Sequence, residues 1–372
     1  MFIFDNVSGG IQKYRIQDPH IFLYENLDYD IEFGGVEDAI NSDQEKFFLH
    51  FSSLQNPAIR NFIDNTLTSG KKIILDIDDF WEVPMTHYLY QYNKFNKTTE
   101  TLFNYVGKVT AVICSTEQIY KALKKYNNNI FIVPNSLNYE YESKHVSELE
   151  NNKFTIGWAG SSSHVDDMKL MSKIGILSKM KNIQFILAGF DNRQINPNGG
   201  VTINNNGVWS EYEHIITNNY NLVDPAYKNY LMGYNKQNEY LKVDEQNYRR
   251  LWSMDIRAYL KIMNQFDVFI VPLVNNAFNK YKSELKLIES ALHKIPVVAS
   301  DLPQYSAVLK ACGGGFIVDN SKAHRDFIKS LKMLQNEKEL REDMGERLYE
   351  YCSEHFDYKK TGKQRLDIYN LI

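Results

Sequence analysis

Two successive series of short, uninterrupted apolar runs, several of them separated by amphipathic stretches, limit what this chain can fold into. The first series reads "FIF" (Phe2–Phe4), "YDIEF" (Tyr29–Phe33), "FFLHF" (Phe47–Phe51), "KIILDI" (Lys72–Ile77), "VTAVICS" (Val109–Ser115) and "IFIVP" (Ile130–Pro134). The second reads "FTIGWAG" (Phe154–Gly160), "IQFILAG" (Ile183–Gly189), "FDVFIVPL" (Phe266–Leu273), "IPVVAS" (Ile295–Ser300) and "GGFIV" (Gly314–Val318). Such runs suit parallel strands covered on both faces. Pro57–Leu67 and Glu117–Lys125 have the spacing of amphipathic helices. This βαβ repetition predicts an α/β chain of two Rossmann-like, doubly wound domains facing a cleft at the carboxyl ends of their strands.

At 372 residues the chain suits two cores better than one. The polar run Asn138–Lys153 reads as the linker. The expected domains are therefore 1–150 and 151–355, with a helix over 356–372 packing back on the first. A Tyr-rich polar passage, Asn192–Trp252, breaks the rhythm and reads as an ordinary surface insertion near 192–250 with some helix.

The net charge of −4 offers no global basic field to nucleic acid or anionic lipid, although a local basic groove fits within such a balance. The three cysteines, Cys114, Cys312 and Cys352, are odd in number and widely spaced, so they read as reduced thiols, and no CxxC or Cys/His cluster suggests zinc. The first residues lack the basic n-region of a signal peptide, and no apolar run approaches the ~18 residues of a membrane span. The expectation is a cytoplasmic protein, with peripheral membrane contact left open.

Four motifs carry candidate chemistry. In "KSELKLIES", Ser283 suits a helix N-cap and Glu284 its first turn. Free N–H groups at such a start favour an anion, and Lys282 adds a positive charge. Lys282, Lys286 and Glu289 share one face by helical spacing, and a carboxylate there can accept from a ribose diol. The set suits a nucleotide diphosphate; the alternative is a capped helix with a Lys286–Glu289 surface pair. In "IGWAGSSSHVDDM", a strand ends at Gly160, Ser161 and Ser162 make a small turn, and a helix starts near His164; ordinary strand–turn–helix connections look the same.

The third motif, "FDNVSGGIQKYRIQDP", runs a strand into Ser8, Gly9 and Gly10, followed by Tyr14 and Arg15, which suits a ligand's close approach or a plain flexible turn. The fourth, "IILDIDDFWEVP", ends a strand on Asp76, Asp78 and Asp79. Carboxylates so close together need a metal, cations, shared protons or a solvated turn. The run has the Asp-x-Asp spacing of metal-dependent phosphatases. "VICSTEQ" and "VPNS" read as a helix cap and a turn, His50 as a core or edge histidine, and His293 as a helix-end residue favoured by the dipole.

Taken in order, these pieces resemble the retaining GT-B glycosyltransferases of the glycogen-synthase-like group, glycosyltransferase family 4. The resemblance lies in "FTIGWAG", "FILAG", "DVFIVPL" and the block "KSELKLIESALHKIPVVASD", with "VPNS" closing the first domain. It covers most of the second domain and the first only loosely. It implies a UDP- or GDP-sugar donor, with no other cofactor and no metal. The diphosphate would lie against Lys282 and Ser283, and the ribose at Glu289. The Gly160–Ser161 turn would face phosphate or sugar, and the Ser8–Gly10 loop would close over the donor.

Eight positions before Glu289, where much of the family has a sugar-binding Glu, this chain has Tyr281. Asp78 or Asp79 would then orient the acceptor or stabilise charge on the sugar. The resemblance implies hexosyl or pentosyl transfer with retention, to a glycan or a lipid-linked sugar. Transfer to DNA through the Tyr-, Lys- and Arg-bearing insertion, an Asp-based phosphatase, and a non-catalytic sugar-nucleotide-binding protein are the alternatives.

Overall fold

The first apolar series forms one six-stranded parallel sheet, and the five runs of the second form another together with a strand from the Tyr-rich passage. The computed structural model describes residues 1–145, 152–195, 200–204, 206–233 and 243–372. Parts of the expected linker (146–151) and of the expected insertion (196–199, 205 and 234–242) lie outside the described residues. Contacts divide the chain into two units. Met1–Lys144, Asn276–Ile288 and Cys352–Ile372 form the first; His145–Asn275 and Glu289–Tyr351 form the second.

The first sheet contains β1 (Phe2–Phe4), β2 (Glu32–Gly34), β3 (Lys46–His50), β4 (Lys72–Ile77), β5 (Ala111–Cys114) and β6 (Ile130–Ile132), in the order β2-β1-β3-β4-β5-β6. The order reverses beside β1 and β3, the point at which doubly wound sheets open a crevice. The expected strand Tyr29–Phe33 is shorter and later, because its partner among the described residues, β1, offers three residues: Phe2 pairs with Glu32, Ile3 with Phe33 and Phe4 with Gly34.

Alternation along the strands sends two sets of side chains to two faces. On one face Phe4 and Phe47 each meet Phe62 edge-on, with centroids 5.3 and 5.1 Å apart. On the other, Ile3, Phe48, Ile74 and Ile113 pack with Ile368 and Tyr369 of the helix Tyr358–Leu371. Tyr369 Oη lies 2.7 Å from His20 Nε2. Each fully buried Phe contributes roughly 1.5–3 kcal/mol relative to exposure.

After β1 the chain enters a helix through Gly9, whose φ of +69° is left-handed and suits glycine. A π-helical turn then spans Gln12–Gln17. Lys13, Tyr14, Arg15 and Ile16 are all buried there. π turns are uncommon and concentrate at functional sites.

The second sheet contains β7 (Phe154–Ala159), β8 (Ile183–Phe190), β11 (Tyr248–Trp252), β12 (Val268–Val271), β13 (Val297–Ser300) and β14 (Gly315–Val318). Its order is β11-β8-β7-β12-β13-β14, with the reversal between β7 and β12. A separate hairpin pairs β9 (Arg193–Ile195) with β10 (Val201–Ile203).

The described part of the Tyr-rich passage is not a surface insertion. Tyr212, Tyr220, Tyr227 and Tyr248 are buried in the core shared by β7 and β8. Glu213 gathers two of them: it accepts from Tyr220 Oη at 2.5 Å, Tyr248 Oη at 2.8 Å and Arg250 Nε at 2.8 Å. The passage also supplies β11, whose "YRRLW" pattern shows little apolar alternation; Glu213 neutralises Arg250, so the strand can be placed beside β8.

Candidate functional site

In the first unit, three strand ends bring polar groups together. Asp76, near the end of β4, has no exposed surface, and neither does Arg15 from the π turn. Arg15 donates Nε to Asp76 Oδ2 at 2.9 Å and Nη2 to Oδ1 at 2.6 Å, and its Nη1 reaches Val133 O at 3.0 Å and Asn135 Oδ1 at 3.2 Å. Burial alone would lower the Arg15 pKa, but the Asp76 charge and hydrogen bonds raise it, so the guanidinium stays charged. Asn135 in turn donates Nδ2 to Ser283 Oγ at 2.7 Å.

His50, read from sequence as a plain core or edge residue, ends β3 and faces Asp78. Its Nδ1 accepts from the Ser52 amide, which leaves Nε2 to donate to Asp78 Oδ1 at 2.7 Å. Burial would raise the Asp78 pKa; the adjacent His50 and its hydrogen bond, with Arg15 beyond, hold it below the usual carboxylate range. Asp79 is more open and lies 3.9 Å from Lys282 Nζ, which also sits over the Phe278 ring at 4.5 Å. Ser8 and Gly9 are exposed and Gly10 partly so, beyond the end of β1. Ser8 precedes the short helix Gly9–Ile11 without capping it through its side chain.

The segment around Lys282 is anchored in the same unit. The Tyr281 ring stacks on Phe80 with centroids 4.0 Å apart and planes 13° apart, and Thr116 Oγ1 donates to Tyr281 O at 3.4 Å. The helix begins at Leu285, one residue later than its expected cap implies. Glu284, not Ser283, supplies the first carbonyl, accepting from Leu287 and Ile288 N–H. Ser283 is free of the cap and engages Asn135. Lys282 lies before the helix Leu285–Leu292, so it does not share a helical face with Lys286 and Glu289.

The Glu284 carboxyl is buried and forms no direct ion pair among the described residues. Burial pushes it up to about 7 against the pull of its own amide and of Arg15. Glu289, further along the helix and assigned to the second unit, is buried, while Lys286 is half-buried.

In the second unit, the turn after β7 is tightly packed. Gly189 has φ +93°, and a Cβ there would stand 2.5 Å from Gly160 O. Ser161 and Ser163 Oγ lie 2.6 Å apart, and Ser162 O accepts from Tyr212 Oη at 3.0 Å. His164 precedes the helix Val165–Ile174, its Nδ1 2.7 Å from Asp167 Oδ2, while Asp167 Oδ1 accepts from the Val274 amide at 2.7 Å. Asp167 therefore ties the turn after β7 to the segment after β12, across the strand-order reversal. His293 is no helix-end cation: burial lowers it to about 4, leaving the ring neutral.

The structure thus joins Arg15 and Asp76 to Ser283, and Asp79 to Lys282, within one unit. Gly160, Ser161, Ser162 and His164 form a second group about β7. Sequence reasoning missed His50, Asn135 and Glu284 as members of the constellation. "VPNS" at the end of β6 was the one available signal for Asn135.

Two doubly wound parallel sheets of this kind define the GT-B fold. No family model matches the chain, and no curated protein matches it by sequence. Solved structures do. Sucrose-phosphate synthase from Thermosynechococcus elongatus superposes with a TM-score of 0.61 at 12% identity, over 90% of this chain and 76% of that one. HepE from Anabaena, solved with UDP and glucose, gives 0.57 at 10% identity, over 95% of this chain and 89% of that one. TarM from S. aureus, solved with Fondaparinux, alpha-GlcNAc-glycerol and UDP, gives 0.58 at 14% identity, over 90% of this chain and 58% of that one. At these identities the likeness establishes the fold.

Proposed function

We propose that the protein is a glycosyltransferase that moves a hexosyl or pentosyl group from a nucleoside-diphosphate sugar to an acceptor hydroxyl, with retention and without a metal. The observation that carries this reading is the segment Lys282–Ser283 set just before the helix Leu285–Leu292, which bears the buried Glu289, in a GT-B fold. The UDP held by HepE and TarM supports a uridine nucleotide as the first donor to test.

On this reading, cleavage of the sugar–phosphate bond builds negative charge on the departing diphosphate. The Lys282 ammonium and the free N–H groups at the start of the helix stabilise it. Glu289 accepts from the ribose hydroxyls. The turn at Gly160, Ser161, Ser162 and His164 and the loop at Ser8, Gly9 and Gly10 contact the donor, and Lys286 adds positive charge nearby. Arg15 and Asp76 act at one remove, holding Asn135 and through it Ser283. Asp78, poised by His50, and Asp79 are the carboxylates available to orient an acceptor hydroxyl or stabilise positive charge on the sugar. TarM's GlcNAc-glycerol ligand supports a glycan or lipid-linked acceptor.

Calorimetric titration with UDP and GDP, followed by sugar transfer in excess EDTA, tests the reading. Binding and transfer should be lost in Lys282→Ala and Glu289→Ala. Unchanged behaviour in both variants would sink it. Loss of transfer in EDTA would overturn the metal-free part alone.

A further inference from the structure

The helix Val165–Ile174 opens directly after the turn Gly160–Ser163, yet its first turn carries two carboxylates, Asp166 and Asp167. The free N–H groups of a helix start favour an anion, whereas carboxylates there oppose one. Each carboxylate is answered nearby. Asp166 pairs with Lys169 at 3.1 Å, on the exposed side. Asp167 is buried and meets the His164 ring, Oδ2 to Nδ1 at 2.7 Å. From Gly160 to Met168 the sequence has no Lys or Arg, so His164 is the one side chain of this stretch that can carry positive charge.

The ring is held in place. Its plane stands at 90° to Trp158, with centroids 5.7 Å apart, and a Cβ on Gly160 would come within 3.1 Å of its Cδ2. Asp167 is fixed in turn, because Oδ1 accepts from the Val274 amide at 2.7 Å. An ionised carboxylate only accepts, so Nδ1 carries the hydrogen of that bond. In the neutral ring Nε2 then holds a lone pair, which repels a phosphate oxygen. The protonated ring has an N–H at both nitrogens, balances Asp167 and adds a donor. Among the described residues, the groups packed around the ring keep their charge near neutral pH. Tyr212, from the helix Val208–Thr217, donates to Ser162 O, and burial with the Asp167 and Glu211 charges pushes its pKa far up. β7 contributes Trp158 and the segment after β12 the Val274 amide, neither of which titrates. The helix Ala323–Asn336 brings the apolar Phe327 and Leu331 to the shared core.

We propose that Asp167 is a positioning residue that holds His164 as a proton-dependent contact to the donor's phosphate, so that nucleotide binding takes up a proton at this imidazole. The inference rests on the transferase reading, in which this turn contacts the donor. The proton comes from solvent and settles on Nε2.

Calorimetry on the full chain tests this, using whichever of UDP and GDP the parent protein binds, from about pH 5.5 to about pH 8.5 and in two buffers of different ionisation enthalpy. The buffer dependence of the heat should show proton uptake on binding, and affinity should fall roughly ten-fold or more toward the alkaline end. His164→Gln should remove most of the uptake and hold affinity near its alkaline value. Asp167→Asn keeps the shape and loses the charge, so the midpoint of the pH dependence should move about one unit toward acid. A merely structural Asp167 would weaken binding equally at every pH and leave the midpoint in place. If Asp167→Asn does not fold, the parent and His164→Gln still decide. Nucleotide binding without proton uptake, undiminished uptake in His164→Gln, or an unmoved midpoint in folded Asp167→Asn overturns the proposal and leaves the transferase reading standing. A parent protein that binds neither nucleotide sinks both.

Discussion

Asn135 donates to Ser283 Oγ at 2.7 Å while its other amide atom accepts from Arg15, so a residue at the end of β6 links a buried ion pair to the candidate diphosphate site. Truncating Asn135 to Ala should leave Arg15 short of one acceptor and Ser283 free to turn. The expected outcome is about 1–3 kcal/mol of lost stability in urea titration. On the transferase reading, UDP affinity also falls several-fold. Unaltered affinity in a folded Asn135→Ala protein would remove Asn135 from the site.

The Arg15–Asp76 pair has no solvent access. Breaking it from one side, with Arg15→Met or Asp76→Leu, should cost about 3–5 kcal/mol, because a buried charge is left unmatched. The double change Arg15→Met with Asp76→Leu should recover much of that loss. A double-mutant cycle with no coupling would show that the pair does not act as one unit.

Asp79 competes with any anion for Lys282, at 3.9 Å and with partial exposure. Asp79→Asn should therefore tighten UDP binding by a few-fold, most clearly at low salt. Weaker binding in this variant would mean that Asp79 holds the lysine in place instead of opposing the ligand.

Glu284 predicts a pH signature. Its carboxyl rises from 4.5 to about 7 on folding, through burial. The folded state then binds the proton more tightly than the unfolded chain, so this contribution is full below about pH 4.5 and is lost as pH rises through 7. At about 1.4 kcal/mol per unit, the loss is on the order of 3 kcal/mol. Glu284→Gln should flatten the stability profile between pH 5 and 8, measured by denaturant unfolding. An identical slope in both proteins would refute the buried neutral acid.

Most of the strand pattern could be read from sequence because a strand covered on both faces leaves a continuous apolar run. β11 could not, since Arg249 and Arg250 interrupt its pattern and the partner that neutralises Arg250, Glu213, lies 37 residues earlier. The same distance problem hid the tyrosines: Tyr212 and Tyr248 read as polar surface until Glu213 and the β8 core are placed beside them.

Motif reasoning located Arg15 and Asp76 but not their mutual bond, which spans 61 residues and depends on the π turn to point Arg15 inward. His50 carried no signal beyond its strand, because its meaning comes from Asp78, just past the end of the neighbouring strand. The helix start falls one residue later than the cap implies for a long-range reason: Ser283 is a good cap in isolation, but Asn135, 148 residues earlier, engages its hydroxyl.

The packing of Tyr369 against His20, 349 residues away in sequence, also bears on how the chain is made. The stretch Cys352–Ile372 completes the first unit's core and is synthesised after all of the second unit. At a ribosomal pace of roughly 5–20 residues per second, the earlier half waits many seconds with one face of its sheet covered only in part, by Ile16, Leu23 and their neighbours. The second unit, whose sheet is complete once β14 has emerged, is placed to fold first. Assembly on the ribosome would therefore run against the order of the sequence, with the nascent first unit the natural client of a chaperone.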